Sequence, residues 1–305
     1  MRYESRRFVY YRLPFRQLLM LSILLLPCLV LVLPSCNTSI RNIVPTSTPT
    51  GPDVEDLERA GDSYRERGEL RMAHSQYEKA LKLQPDDPRL IYKVGLISLA
   101  SDRKEDAMKE FHKAISIDPG FAPAYDGIGE VYFRKADLDK AMESYYKALK
   151  LNPTLWNCRN KLGLIYDRHG LHVQAIQEYQ LAIQQQPANG SLYNNLGVSY
   201  TYNRQYNEAI TALNRAIDLN YTDKKVYNNL GLALGHVQRY DAALEAFRKA
   251  GTEAQAQNNL GVVYLNQKLY TEAIHAFDKA IELEPTYYVT AGDNLKKARL
   301  ALEQR

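Results

Sequence analysis

The chain has 305 residues, of which 45% are apolar and 24% charged, ordinary proportions for a folded chain and far from those of a disordered or fibrous one. Its net charge of +4 comes from residues 1–35, where five arginines face Glu4 alone; the rest carries 34 basic and 34 acidic residues, which removes the electrostatic case for nucleic-acid binding. Only Cys158 lies beyond the first 36 residues, so neither a disulfide framework nor a thiolate zinc site is available.

Arg2, Arg6, Arg7, Arg12 and Arg16 precede an apolar run from Leu18 to Leu33, a positive segment followed by a hydrophobic one, as in a secretory signal. As a helix the run would span roughly 24 Å, short for a hydrocarbon core of about 30 Å. Pro27 also interrupts it, which favours a cleaved leader at 1–35 over an uncleaved anchor. The run ends Leu33-Pro34-Ser35-Cys36, which resembles a bacterial lipobox, with Pro34 departing from the usual small residue. The resemblance implies that Cys36 carries acyl chains such as palmitate and tethers the protein to a membrane of the cell envelope. Asn37 stands where lipoproteins kept at the inner membrane of some Gram-negative bacteria carry aspartate, so the outer membrane, on its periplasmic side, is the expected location. Residues 36–53 are rich in Thr, Ser and Pro without apolar periodicity and read as a linker, about 20–25 Å in root-mean-square reach.

From residue 54 the chain repeats itself. Glycines fall at 61, 95, 129, 163, 197 and 231, a step of 34 each time, and then at 261 after a step of 30. Each carries the same columns around it. An aliphatic residue or Ala precedes it (Leu196, Leu230, Leu260). Three residues on comes mostly Tyr, and twelve and nineteen residues on come alanines (Ala141 and Ala148 after Gly129). Sixteen residues on comes a ring or Leu (Tyr77, Phe111, Tyr145, Tyr179, Leu213, Phe247, Phe277). Pro85, Pro119, Pro153, Pro187 and Pro285 close five of the units. The spacing is helical, and proline ends the second helix, so each unit is predicted to be two helices joined by a turn. Asp139, Asn207, Asp241 and Thr271 sit where a second helix is expected to begin and suit an N-cap. Glycine in a helix costs about 0.5–1 kcal/mol against alanine. Its recurrence predicts that backbones approach there, with the rings filling the space opposite.

These columns, at their fullest in Tyr125, Ile128, Gly129, Tyr132, Ala141, Tyr145, Ala148 and Pro153, resemble the tetratricopeptide repeat. The resemblance implies an all-α, right-handed superhelix of seven helix-turn-helix units at 54–87, 88–121, 122–155, 156–189, 190–223, 224–253 and 254–287. Residues 288–305 are amphipathic and are expected to form a capping helix that seals the last apolar face. Two departures stand out: Tyr221 replaces the closing proline, and the sixth unit is short, with Gly251 placed to end its second helix early.

On a helical wheel the face opposite the packed one carries Asn195, Val198 and Tyr202 in the fifth unit. The sixth unit has Asn229, Leu232 and His236 there, and the seventh has Asn259, Val262 and Asn266. The family resemblance implies that first helices line a concave groove. On that basis the peptide-binding residues are expected to be Asn195, Asn229, Asn259, Val198, Leu232, Val262, Tyr202 and His236. Asparagine can pair with any peptide backbone, and the column resembles the peptide-holding asparagines of O-linked GlcNAc transferases. The other reading of the column is solvation of a helix face or contact with the neighbouring unit. Asn194, Asn228 and Asn258 project sideways. The Lys-Asn-Asn-Lys-Arg set of repeats that grip a C-terminal carboxylate is absent in register.

No catalytic, cofactor or metal site is expected. The six histidines are scattered, with His169 and His172 lacking a third ligand at suitable spacing, and Cys158 has no local base. Trp156 is expected to pack between units. The expected function is a non-catalytic scaffold or adaptor at the bacterial envelope that holds an extended or helical segment of a protein partner. Lipoproteins of similar architecture assist type IV or Flp pilus assembly and secretion, or serve envelope proteases and peptidoglycan enzymes.

Overall fold

The computed structural model describes residues 51–284 and 288–304; the leader, Cys36 and most of the linker lie outside the described residues. Fifteen α-helices follow one another, with no strand among the described residues. Seven pairs come first: α1 (Val54–Glu66) and α2 (Leu70–Leu83), α3 (Pro88–Ala100) and α4 (Lys104–Ile117), α5 (Ala122–Arg134) and α6 (Leu138–Leu151), α7 (Trp156–Arg168) and α8 (His172–Gln185), α9 (Gly190–Tyr202) and α10 (Tyr206–Asp218), α11 (Lys224–His236) and α12 (Tyr240–Ala250), α13 (Glu253–Asn266) and α14 (Tyr270–Leu283). The fifteenth, α15 (Tyr288–Glu303), buries Leu295 and Ala298 against Ala273 and Phe277 of α14.

The two helices of each pair are locked by the glycine column. A Cβ placed on Gly129 would come within 2.6 Å of the Tyr145 ring, and one on Gly231 within 2.5 Å of the Phe247 ring. The same relation holds in every pair, with Leu213 taking the place of the ring against Gly197. The six rings are fully buried, as are most of the alanines at the two small-residue columns. Burying each ring contributes about 2–3 kcal/mol. The rings meet backbone directly, because the small residues remove every intervening side chain.

The turn inside each pair is a Schellman motif. In the third pair, Asp137 N donates to Tyr132 O (3.0 Å) and Ala136 N to Phe133 O (3.0 Å), with Ala136 at φ 60°. Gly68, Asp102, Gly170, Arg204, Gln238 and Lys268 occupy the same left-handed position in the other six pairs. This geometry moves the second-helix N-cap forward of the expected place. Asp139, Asn207, Asp241 and Thr271 lie within the first turn, and the caps are Asp137, Gln205, Arg239 and Leu269. Only Asp137 among these four caps with its side chain. The left-handed residue swings the chain straight into the second helix, so the cap slot falls two residues earlier.

Both departures from the repeat have local explanations. Where Tyr221 replaces proline, α10 ends on Asn220 at φ 58°, with Tyr221 N donating to Ala216 O at 3.0 Å. Tyr221 then lies against the start of α9, where a Cβ on Gly190 would sit 2.7 Å from its own Cβ. In the sixth pair α12 stops at Ala250 with Gly251 as C-cap, and Thr252 opens α13 through a capping box with Gln255.

Successive first helices touch across pairs (α3 with α5, α7 with α9, α9 with α11, α11 with α13), while successive second helices approach less closely. The array therefore curves with the first helices on its inner side, giving an all-α repeat superhelix.

Replacing Gly129 by Ala is expected to lower stability by about 1–3 kcal/mol, since the buried Tyr145 ring has no space to retreat. Ala136→Gly is expected to raise it by up to about 1 kcal/mol, because a left-handed backbone costs alanine more than the entropy that glycine adds. Urea midpoints of the two variants against the parent chain check both signs.

Candidate functional site

The inner face is richer in ion pairs in the early repeats and more aliphatic in the late ones, and the core contributes to the difference. The buried hydroxyls of Tyr77, Tyr145 and Tyr179 need acceptors, and they donate to Asp62 (2.7 Å), Glu130 (3.5 Å) and Asp167 (3.2 Å), all on first helices. Those carboxylates draw cations across the repeats: Lys93 lies 2.6 Å from both Glu58 and Asp62, and Lys161 lies 2.8 Å from Glu130. Where the core residue is Leu213, Phe247 or Phe277 there is no hydroxyl to satisfy. The residue following the glycine is then Val198, Leu232 or Val262. In repeats one and three the tyrosine is matched by an acid at that position (Asp62, Glu130), whereas repeat four sets Leu164 there and answers Tyr179 with Asp167, and repeat two pairs Phe111 with Leu96.

Asparagines tie the later repeats together. Asn195 Nδ2 donates to Asn160 Oδ1 (3.0 Å), Asn229 to Asn194 (3.0 Å), Asn259 to Asn228 (3.2 Å) and Asn294 to Asn258 (3.0 Å). Within α9 and α13, Asn194 and Asn258 also donate to Asn195 and Asn259. The result is two runs of paired side-chain amides, Asn160 to Asn229 and Asn228 to Asn294, that meet on α11. The Lys93–Glu58 ion pair takes the equivalent positions between the first two units. Asn195, Asn229 and Asn259 thus form the expected column, but each has one amide hydrogen engaged by the preceding repeat. Asn194 and Asn258, which the wheel sets sideways, are buried at the repeat junctions.

Five of the expected groove residues meet in one depression of about 430 Å³: Val198 and Tyr202 from α9, with Asn229, Leu232 and His236 from α11. Thr201, Arg204, Tyr206 and Asn266 complete its lining. Tyr202 is 64% exposed and Leu232 36%, the largest apolar surfaces on this face of α9 and α11. Two aromatic stacks hold the rim across repeat junctions. Tyr202 lies 5.1 Å above His172, centroid to centroid, at 18°, and His236 lies 4.4 Å from Tyr206 at 7°. His172 is itself fixed by Asp167, 2.9 Å from its Nδ1. Burial, followed by the charge of Arg204, lowers the basicity of His236. Val262 packs toward α14 beside Phe277 rather than lining the depression. Sequence reasoning missed Arg204 and Tyr206, which lie in the turn and at the first position of the second helix, off any wheel of the first. Tyr206 did have a signal, since His172, Tyr206, Tyr240 and Tyr270 recur nine residues after successive glycines.

Elsewhere the polar groups face inward. Cys158 is buried and donates to Asp126 Oδ1 at 3.1 Å. Burial, reinforced by the Asp126 charge, holds its thiol well above the usual range, so it supplies no thiolate. Burial likewise raises the Asp126 carboxyl, despite the hydrogen bonds it accepts from Cys158 and Asn157. Trp156 is half-buried at the start of α7. Among the described residues no three His, Cys, Asp or Glu side chains gather as metal ligands, and no helix is long and apolar enough to cross a membrane.

Comparison with known proteins agrees with this architecture. Tetratricopeptide repeat models match residues 254–287, 88–121 and 224–250, and a TPR repeat model matches 61–101. A model of the TT21 fifth ARM repeats domain matches 128–234. No curated protein matches the chain in sequence. Among solved structures, the APC/C hetero-tetramer Cut9–Hcn1 superposes with a TM-score of 0.56 at 23% identity, over 80% of this chain and 48% of the matched one, so the chain spans about half of that protein's length. YrrB, described as a TPR protein with an unusual peptide-binding site, matches at 0.51 and 26% identity, over 61% of this chain and 97% of its own. PilF of Pseudomonas aeruginosa matches at 0.54 and 19% identity, over 70% and 96%, a likeness of fold. Repeat models, structural likeness and the glycine–ring lock converge: the chain is a tetratricopeptide repeat protein, and such repeats are protein–protein interaction scaffolds.

Proposed function

We propose that the inner face of the last three repeats holds an extended segment of a protein partner. The observation that carries this reading is the depression shared by α9, α11 and α13. Its volume lies within the range of ligand clefts, about 300–1,000 Å³. It sets exposed apolar surface (Tyr202, Leu232) beside polar groups with free hydrogen-bonding capacity (Asn266, the second amide hydrogen of Asn229). Aromatic anchors surrounded by such groups are the composition that binding hot spots favour. YrrB, matched over 97% of its own length, is described as having a peptide-binding site, which supports peptide binding by this chain. Val198 and Leu232 supply the floor, Tyr202 and His236 the walls, and Asn195, Asn229 and Asn259 the spacing of the repeats that carry them.

The leader supports placing this scaffold at a bacterial envelope, lipid-anchored through Cys36 and held off the membrane by the linker at 37–53. A scaffold so placed would serve the assembly of an envelope machine such as a type IV or Flp pilus, bringing an extended subunit or secretion component to the membrane surface.

A Tyr202→Ala, Leu232→Ser, His236→Ala triple variant is expected to lose the partners that the parent chain captures while keeping its helical circular dichroism. Tyr146→Ala, which changes an exposed ring on a second helix, is expected to keep them. Capture that survives in the triple variant overturns the groove reading. Metabolic labelling with palmitate is expected to mark the parent protein and not Cys36→Ala; an unlabelled parent removes the anchor.

A further inference from the structure

The charge of the depression selects its ligand. Its lining contains no Asp or Glu, and its one permanent charge is Arg204. Among the described residues Arg204 has no carboxylate within 4.0 Å, although Glu58, Asp62 and Glu130 along the same inner face all have cationic partners. The other polar groups of the lining are neutral. Thr201 donates its hydroxyl to Gly197 O, and Asn229 donates to Asn194. His236 is held toward its neutral form by burial and, secondarily, by the charge of Arg204. The Schellman turn sets the Arg204 backbone, which takes the left-handed position at φ 62° between Tyr202 and Tyr206, and its side chain is exposed. Arg204 lines the depression together with Val198, Leu232 and the stacked rings of Tyr202, Tyr206 and His236.

We infer that the segment bound here carries an acidic residue beside a large apolar one, the apolar side chain entering over Leu232 between the rings and the carboxylate meeting Arg204. An isolated guanidinium at the rim of an apolar cleft is matched by a carboxylate through paired N–H donors, a stronger bond than any neutral contact the lining offers. A basic segment is disfavoured by the same charge. The inference rests on the groove reading above and adds the chemistry of the partner.

A displayed library of random short peptides, panned against the full chain, tests both. Enriched peptides are expected to place Asp or Glu next to Leu, Ile, Phe or Tyr. By fluorescence anisotropy, the enriched peptide should bind about tenfold more weakly to Arg204→Gln and Arg204→Gly, the loss of one charge-assisted contact. Its Asn/Gln counterpart should bind all three proteins alike. Arg204→Gly is expected to be at least as stable as the parent, because glycine accepts the left-handed backbone without strain, so weaker binding in that variant is not a folding defect. Enriched peptides without acidic residues, or acidic peptides bound equally by Arg204→Gly, overturn the inference and leave the groove standing. A library with no enrichment at the groove, unaffected by the Tyr202, Leu232 and His236 changes, overturns the groove and the inference together.

Discussion

Everything in this array depends on a ring pressed against a glycine. Each first helix has its backbone bared at one point, and each second helix fills that point with a buried ring or Leu213 within van der Waals reach of the main chain. The contact sets the distance between the two helices of a pair. Repeated seven times, it sets the repeat as a rigid unit whose neighbours can stack only one way. Its influence extends past the core. A tyrosine ring brings a hydroxyl that must be satisfied, and the acceptor comes from the inner face of a first helix. A carboxylate there draws a lysine from the next repeat. Repeats five to seven have leucine or phenylalanine in the core, so no hydroxyl calls for an acceptor there, and Val198, Leu232 and Val262 follow the glycines. The missing hydroxyls permit an apolar groove there without requiring one, since Leu164 follows the glycine of the Tyr179 repeat as well.

Much of this was legible in the sequence, because columns with one packing duty recur with one residue type. Gly, Ala and ring positions are constrained by contact within a pair, and a fixed period exposes them. The turn was less legible. Its left-handed residue is glycine only at Gly68 and Gly170; elsewhere it is Asp, Ala, Arg, Gln or Lys, residues that carry no signal for φ above zero. The hydrogen bonds of the Schellman turn hold them there, and composition does not show it. The misplaced N-caps follow from the same cause: Asp139 and its equivalents look like caps by type, but the turn geometry assigns the slot two residues earlier. A wheel also knows only one helix. It separates Asn195 from Asn194 by direction, yet both serve the same run of amides, since each meets an amide from an adjacent first helix.

The two irregular repeats carry most of the candidate site. Tyr221 ends the fifth repeat through Asn220 and forces glycine at Gly190. Gly251 and Thr252 shorten the sixth and restart the chain at once as α13. Helix α11, which contributes Asn229, Leu232 and His236, lies between these altered junctions. Each departure is absorbed by local capping, so the glycine column stays packed and an amide pair spans each junction, Asn229 to Asn194 and Asn259 to Asn228.

These amide pairs also decide how the inner face divides its labour. An amide buried between repeats contributes about 0.5–1.5 kcal/mol when paired, and leaving its partner unpaired costs more than that. Asn195, Asn229 and Asn259 are therefore first of all spacers, and removing them would disturb the stacking of repeats along with any ligand contact. Recognition falls to positions that no repeat junction requires in their present identity. Leu232 is exposed, Tyr202 more so, and Arg204 needs only to be a residue that tolerates its turn. At such positions the physics of the fold leaves the side chain free. A glycine would be the better choice at Arg204 for stability alone. An exposed arginine beside two stacked rings, with no carboxylate in salt-bridge reach among the described residues, leaves its charge open to a ligand.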